Sequence, residues 1–120
     1  MTDRPVLVVE DDPAMRQTIR WTLEAEGFVV AEAGSAEQAL SATARQRPAL
    51  VVLDYGLPDR DGGAVADELR ARLPSPPPIV VVTADGRAAE KAARVGAVAY
   101  LHKPFDLDDL LATVRRTLDG

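Results

Sequence analysis

The sequence predicts an α/β fold in a single domain: a parallel sheet with helices on both faces. Three observations predict it. First, Val6-Leu7-Val8-Val9, Val51-Val52-Leu53 and Ile79-Val80-Val81-Val82 are apolar runs without polar alternation, the pattern of strands buried on both faces. Second, apolar residues recur at helical spacing in the segments between them. Third, the two patterns alternate along the chain, which calls for crossover helices between parallel strands.

The elements follow in order. The first strand, Pro5–Val9, runs into Glu10-Asp11-Asp12. Asp12 is the expected N-cap of a helix with Pro13 in its first turn. Met15, Ile19 and Leu23 form its apolar stripe and Gly27 ends it, leaving Trp21 off the stripe and partly exposed. Phe28–Ala31 reads as a short second strand. Ser35 with Gln38 reads as a capping box for a helix through Ala39, Leu40 and Thr43, stopped by Pro48. The third strand, 49–53, delivers Asp54 into the turn-rich stretch Tyr55–Gly63, where Asp59 and Asp61 read as loop acids. Val65, Ala66, Leu69 and Leu73 mark a third helix ended by Pro74, and Pro74-Ser75-Pro76-Pro77-Pro78 is an extended surface connection. The fourth strand ends at Thr83. A short helix over Arg87–Val95, mostly alanine on its apolar side, should pack weakly before Gly96 stops it. Ala97–Leu101 is the fifth strand. Leu107, Leu110, Leu111, Val114 and Leu118 stripe a last helix with Asp106 as its expected N-cap.

Composition narrows the chemistry. The 120 residues are 47% hydrophobic but only 4% aromatic, so the core must be aliphatic. There is no cysteine, which removes disulfides and thiolate chemistry, and the single histidine, His102, cannot build a histidine-rich metal site. A net charge of −5 argues against nucleic-acid binding. Acids at Asp3 and Glu10 interrupt any leader, and no apolar run approaches the roughly 20 residues that span a bilayer. A cytoplasmic domain without a membrane partner is the expectation.

In a parallel sheet the strand ends gather on one edge, and that edge is where open α/β sheets bind ligands. Here it would collect Glu10 and Asp11 from the first strand, Asp54 from the third, Thr83 from the fourth and Lys103 from just beyond the fifth. Clustered carboxylates repel unless a cation binds among them. Oxygen donors without His or Cys suit a hard cation, Mg²⁺ above all. A lysine and a hydroxyl beside such an ion are what a phosphoryl group would be held by.

These pieces together resemble the receiver domain of bacterial two-component response regulators. The resemblance is carried by Val8-Val9-Glu10-Asp11-Asp12, by Leu53-Asp54-Tyr55-Gly56-Leu57-Pro58-Asp59-Arg60-Asp61-Gly62, by Val82-Thr83-Ala84 and by Tyr100-Leu101-His102-Lys103-Pro104-Phe105. It covers essentially the whole chain, 1–120, as one receiver domain. It implies a flavodoxin-like doubly wound sheet of five strands in the order 2-1-3-4-5, with five helices.

The resemblance further implies that Asp54 is the phosphoacceptor, taking a phosphoryl group from a phosphohistidine of a histidine kinase or phosphotransfer protein. Asp11, Asp54 and the Gly56 backbone carbonyl would hold Mg²⁺, with Glu10 reaching it through water. Lys103 and Thr83 would bind the phosphoryl oxygens. Tyr100 would turn inward behind Thr83 as part of the switch, and the bond to Pro104 would be cis. Output would pass to an unknown protein target through the face of the fourth helix, fifth strand and fifth helix. The kinase would meet the first helix around Pro13, Ala14 and Gln17, and the Pro104-Phe105 loop. Leu57, Gly56 and Ala99 depart from the common family residues, and the bare Gly56 points to a short-lived phosphorylated state. Asp85 could either orient a water there or cap the following helix. The rival expectations are an aspartyl-nucleophile phosphohydrolase, disfavoured because Gly56 stands where a second Asp is wanted, and a pseudo-receiver that binds without being phosphorylated.

Overall fold

A computed structural model describes residues 4–119; Asp3 and the extreme ends of the 1–120 assignment lie outside them. The element order is β1 (Val6–Val9), α1 (Pro13–Ala25), β2 (Val30–Ala33), α2 (Ala36–Arg45), β3 (Leu50–Asp54), α3 (Gly62–Arg72), β4 (Ile79–Thr83), α4 (Ala88–Val95), β5 (Ala99–His102) and α5 (Leu107–Asp119). The strands form one parallel sheet in the order β2-β1-β3-β4-β5. The three central strands, β1, β3 and β4, are buried along their whole length, as runs without alternation demand.

Alternation along those strands splits the core in two. Leu7, Val9, Val51, Leu53 and Val81 face α2, α3 and α4, meeting Leu40, Val65, Leu69 and Val95. Val6, Val8, Leu50, Val52, Val80 and Val82 face α1 and α5, meeting Ile19, Leu23, Leu110 and Val114. Each helix contributes one apolar stripe. That of α4 is the poorest, with Val95 its one buried residue.

The ends differ from the sequence expectations in instructive ways. β2 starts at Val30 rather than Phe28, because the Phe28 amide is still held by the Leu23 carbonyl in the turn that closes α1. Gly27 makes that turn with φ +90, which glycine adopts without strain. Ser35 does cap α2, accepting from the Gln38 amide, but Gln38 Oε1 accepts from Gly34 instead of Ser35, so the reciprocal half of a capping box is displaced by one residue. α3 begins at Gly62, inside the stretch expected to be loop, with Asp61 accepting from the Ala64 amide as N-cap. A Cβ at Gly62 would lie 2.8 Å from the Tyr55 ring, so the close approach of helix and loop requires glycine there. β5 starts two residues late, at Ala99.

Candidate functional site

The parallel register brings the chain's acids to one edge. Val9 pairs with Leu53, and Asp54 pairs with Val82 one residue before the end of β4. Glu10, Asp11 and Asp54 therefore emerge side by side, each offering a carboxylate oxygen within 4.8 Å of the others. Asp11 is exposed, whereas Glu10 and Asp54 are buried.

Lys103 reaches this cluster from beyond β5. Its amide donates to the Thr83 carbonyl at 2.8 Å, anchoring the backbone to β4. The Lys103–Pro104 peptide bond is cis. Nζ donates to Glu10 Oε1 at 2.6 Å and to Asp54 Oδ2 at 3.3 Å. The two contacts close a ring of charges between residues 93 and 49 positions apart in sequence. Asp54 Oδ1 accepts from the Gly56 amide at 3.2 Å, and Glu10 Oε2 from the Asp12 amide at 3.3 Å. Each acid is thus oriented by its own loop.

The electrostatics follow from this crowding. Burial, and then the hydrogen bond and charge of neighbouring Asp54, push the Glu10 carboxyl up to about 7 against the pull of Lys103. Burial works to lower Lys103, but Glu10 and Asp54 outweigh it and hold the ammonium above its ordinary value. One ammonium between two carboxylates leaves the pocket short of positive charge, and a hard cation meets that need with an oxygen-only donor set.

Thr83 is buried on the strand beside Asp54, with its hydroxyl accepting from the Asp85 amide at 3.1 Å. Gly56 is exposed, with open space where a Cβ would be. Tyr100 is 44% exposed. β5 is an edge strand whose residues alternate, so Ala99 and Leu101 take the core face. Tyr100 is left in the open groove with Ala88, His102 and Pro104.

Several residues at this edge had no local signal. Lys91, on α4, pairs with Asp85 at 2.7 Å and lies 4.9 Å from the centre of the Tyr55 ring. Asp85 also accepts from the Arg87 amide at 3.0 Å, in the turn before α4, whose N-cap residue Arg87 makes no side-chain cap bond. Arg16 donates to the Glu10 carbonyl at 2.7 Å and fixes the start of the β1–α1 turn. Asp59 was expected to be a loop acid, yet both its oxygens accept from the first turn of α2, Ala36 at 2.9 Å and Glu37 at 3.1 Å. The Ala36 amide holds its carboxyl below the ordinary range.

The chain is a doubly wound α/β domain with an acidic pocket and Lys103 at the carboxyl edge of its sheet. The comparisons identify the family. Residues 6–115 match the response regulator receiver domain, and the chain belongs to that family. It is 39% identical over 115 residues to the KDP operon transcriptional regulatory protein KdpE of Escherichia coli, covering 94% of this chain and 50% of that protein. It is 37% identical over 114 residues to the transcriptional regulatory protein PdtaR of Mycobacterium tuberculosis, covering 92% of this chain and 55% of that protein. The chain thus spans about half the length of these curated relatives. Among solved structures, a CheY-like receiver domain protein from Methanospirillum hungatei superposes with a TM-score of 0.88 at 28% identity, over 97% of this chain and 94% of that one. The receiver domain of NtrX from Brucella abortus superposes with a TM-score of 0.86 at 32% identity, over 96% and 98%. The fold is flavodoxin-like, and the domain belongs to two-component phosphorelay signalling. Among the described residues no helix is long and apolar enough to cross a membrane.

Proposed function

We propose that residues 1–120 form one cytoplasmic receiver domain in which Asp54 accepts a phosphoryl group from the phosphohistidine of a histidine kinase or phosphotransfer protein. The observation that carries this reading is the ring formed by Glu10, Lys103 and Asp54, with Asp11 alongside, at the carboxyl edge of the sheet. An Asp54 oxygen forms the new O–P bond while the P–N bond breaks and its electron pair returns to the imidazole. Asp11, Asp54 and the Gly56 carbonyl would hold Mg²⁺, with Glu10 reaching it through water. The donor set fits, being all oxygen and short of positive charge. The ion would supply charge neutralisation for the phosphoryl oxygens.

The chain's own residues do the rest. Lys103 screens Asp54 from Glu10 before transfer and is placed to meet a phosphoryl oxygen after it. Thr83 keeps a hydroxyl proton to donate while its oxygen accepts from Asp85. Phosphorylation adds roughly −1.5 to −2 charge, enough to draw Thr83 and Lys103 toward Asp54. Tyr100 then moves from its open groove toward Thr83, altering the α4–β5–α5 face that meets an effector protein. Catalysis is confined to the domain's own phosphorylation and dephosphorylation, and no nucleic acid is contacted directly.

The test is labelling by a small phosphodonor such as acetyl phosphate. Wild type should incorporate phosphate only with Mg²⁺ present, and Asp54→Asn should keep the fold and incorporate none. Stable phosphate on the Asn variant, or a rate indifferent to EDTA, would overturn the assignment.

A further inference from the structure

The candidate cation site includes the backbone carbonyl of a residue with no side chain to hold it in place. Gly56 is exposed, and a Cβ there would meet no atom within 4 Å. Glycine is the residue with the widest backbone freedom. If its carbonyl is to face a cation, the loop that carries it must be held by its other residues.

The structure shows where. Within the loop, the Gly56 amide bonds Asp54 Oδ1, Gly56 pairs with Asp61 in an isolated antiparallel bridge, and the Gly62 amide donates to the Tyr55 carbonyl at 2.8 Å. Leu57 is buried in the core. At its far end Asp61 ties the loop to α3 through the Ala64 amide at 2.8 Å. Its middle is tied to α2, a helix remote in sequence. The first-turn amides of a helix have no intrahelical partner. Ser35 covers only that of Gln38, and both carboxylate oxygens of Asp59 cover those of Ala36 and Glu37. The negative charge also suits the positive end of the helix. α2 is itself seated on the sheet through Ala36, Ala39 and Leu40, all buried, so the anchor is a firm one.

We propose that Asp59 is a positioning residue for the cation site, clamping the β3–α3 loop to α2 so that the Gly56 carbonyl is held ready for Mg²⁺. The inference rests on the reading of Glu10, Asp11, Asp54 and Gly56 as that site. Coupling between two sites is reciprocal. Mg²⁺ should therefore tighten the contact between Asp59 and α2, just as the contact favours Mg²⁺.

The experiment compares wild type, Asp59→Ala and Asp59→Asn. Mg²⁺ affinity is measured by calorimetry, the acetyl phosphate reaction is followed at low and saturating Mg²⁺, and amide exchange at Ala36 and Glu37 is read with and without the ion. Asp59→Ala should weaken Mg²⁺ binding about tenfold, the lower end of what supporting residues contribute to metal sites. Asp59→Asn, which keeps one acceptor oxygen, should lose less. The slowed phosphorylation of Asp59→Ala should return to the wild-type rate at saturating Mg²⁺, which general damage to the fold would not allow. In wild type, Mg²⁺ should slow exchange at Ala36 and Glu37, and in Asp59→Ala it should not. Equal Mg²⁺ affinity in wild type and Asp59→Ala, or a rate that excess Mg²⁺ leaves slow, overturns the inference alone. Should Asp59→Ala fail to fold, an unchanged affinity in Asp59→Asn together with no Mg²⁺ effect on the two amides of wild type overturns it. Wild type that binds no Mg²⁺ overturns the reading of the site, and the inference with it.

Discussion

Asp67→Ala tests how α4 is kept in place. The helix buries one large residue, Val95, and is otherwise alanine on its inner side. Polar contacts to α3 supply what packing does not. Asp67 accepts from both terminal nitrogens of Arg94, at 3.3 and 2.9 Å. Arg70 donates to the Val95 carbonyl at the C-terminal end of α4, where a cation also meets the negative end of the helix. The Arg94 and Asp67 side chains are 51% and 58% exposed, so the pair belongs with surface ion pairs, worth about 0.2–1 kcal/mol. Asp67 also lies 3.9 Å from Arg70, whose bond to the Val95 carbonyl does not involve Asp67. If the loss falls on local opening of α4, the opening equilibrium should rise roughly 1.4- to 5-fold. Amide exchange over residues 88–95 reads this directly, with amides of β1 and β3 as internal reference. Exchange should rise in α4 by that factor and stay near its wild-type value in the central strands. Arg94→Ala should act in the same direction, and the double variant should show less than the sum of the two, because they remove one interaction. Unchanged exchange in α4, or full additivity, would refute the idea that this pair restrains the helix.

Without metal, the pH dependence of stability should carry the mark of Glu10. Its carboxyl lies at about 7 in the folded protein against 4.5 ordinarily, so the folded state holds the extra proton between those values. Stability should therefore fall as pH rises from about 4.5 to about 7, by at most ~3 kcal/mol. Asp59, Asp67 and Asp85 are shifted downward, so their contribution is lost only on acidification below their ordinary 3.8 and does not enter that window. Urea midpoints in EDTA should show the slope in wild type and not in Glu10→Gln; a flat wild-type profile would contradict it. The lifetime of the phosphorylated domain should lengthen in Gly56→Arg, since open space at Gly56 leaves the approach of water unobstructed. In Asp85→Ala the main effect should be faster exchange at the start of α4, because that carboxylate already serves Arg87 and Lys91. Decay after donor removal checks the first, and equal decay in wild type and Gly56→Arg would remove the steric argument.

Much of this was legible in the sequence, for reasons that particular residues make plain. Val6–Val9, Leu50–Leu53 and Ile79–Val82 sit in the middle of the sheet, where both faces must be apolar and no other pattern survives. The edge strands β2 and β5 carry mixed residues, and their starts were misjudged by two positions each. Their limits are set by turn contacts such as Phe28 on Leu23 and by pairing with a single neighbour. Glu10, Asp54, Thr83 and Lys103 could be placed together because parallel strands bring their ends together. The exposure of Tyr100 on edge strand β5 had no signal in the sequence. Strand alternation gives the face of a residue, but not whether an edge is covered. Nor could Asp59 be read, since its partners lie 23 and 22 residues back and leave no local spacing to find.

The acids of the carboxyl edge are sorted by what already occupies their oxygens. Asp12 accepts from Ala14, Asp61 from Ala64, Asp59 from Ala36 and Glu37, and Asp85 from Arg87 and Lys91. Each of these has oxygens committed to a backbone amide at or just before the start of a helix, a use that leaves less to offer a cation. Glu10 and Asp54 are different. Each spends one oxygen on an amide within its own loop and turns the other to a single shared ammonium. That leaves two carboxylates competing for one positive charge, with a third, Asp11, beside them in solvent. Helix caps surround the pocket and fix its walls, while the pocket itself stays electrostatically unfinished. An excess of carboxylates is what a receiver domain needs at this edge, because the unmet charge is what can draw in a cation and, with it, a phosphoryl group.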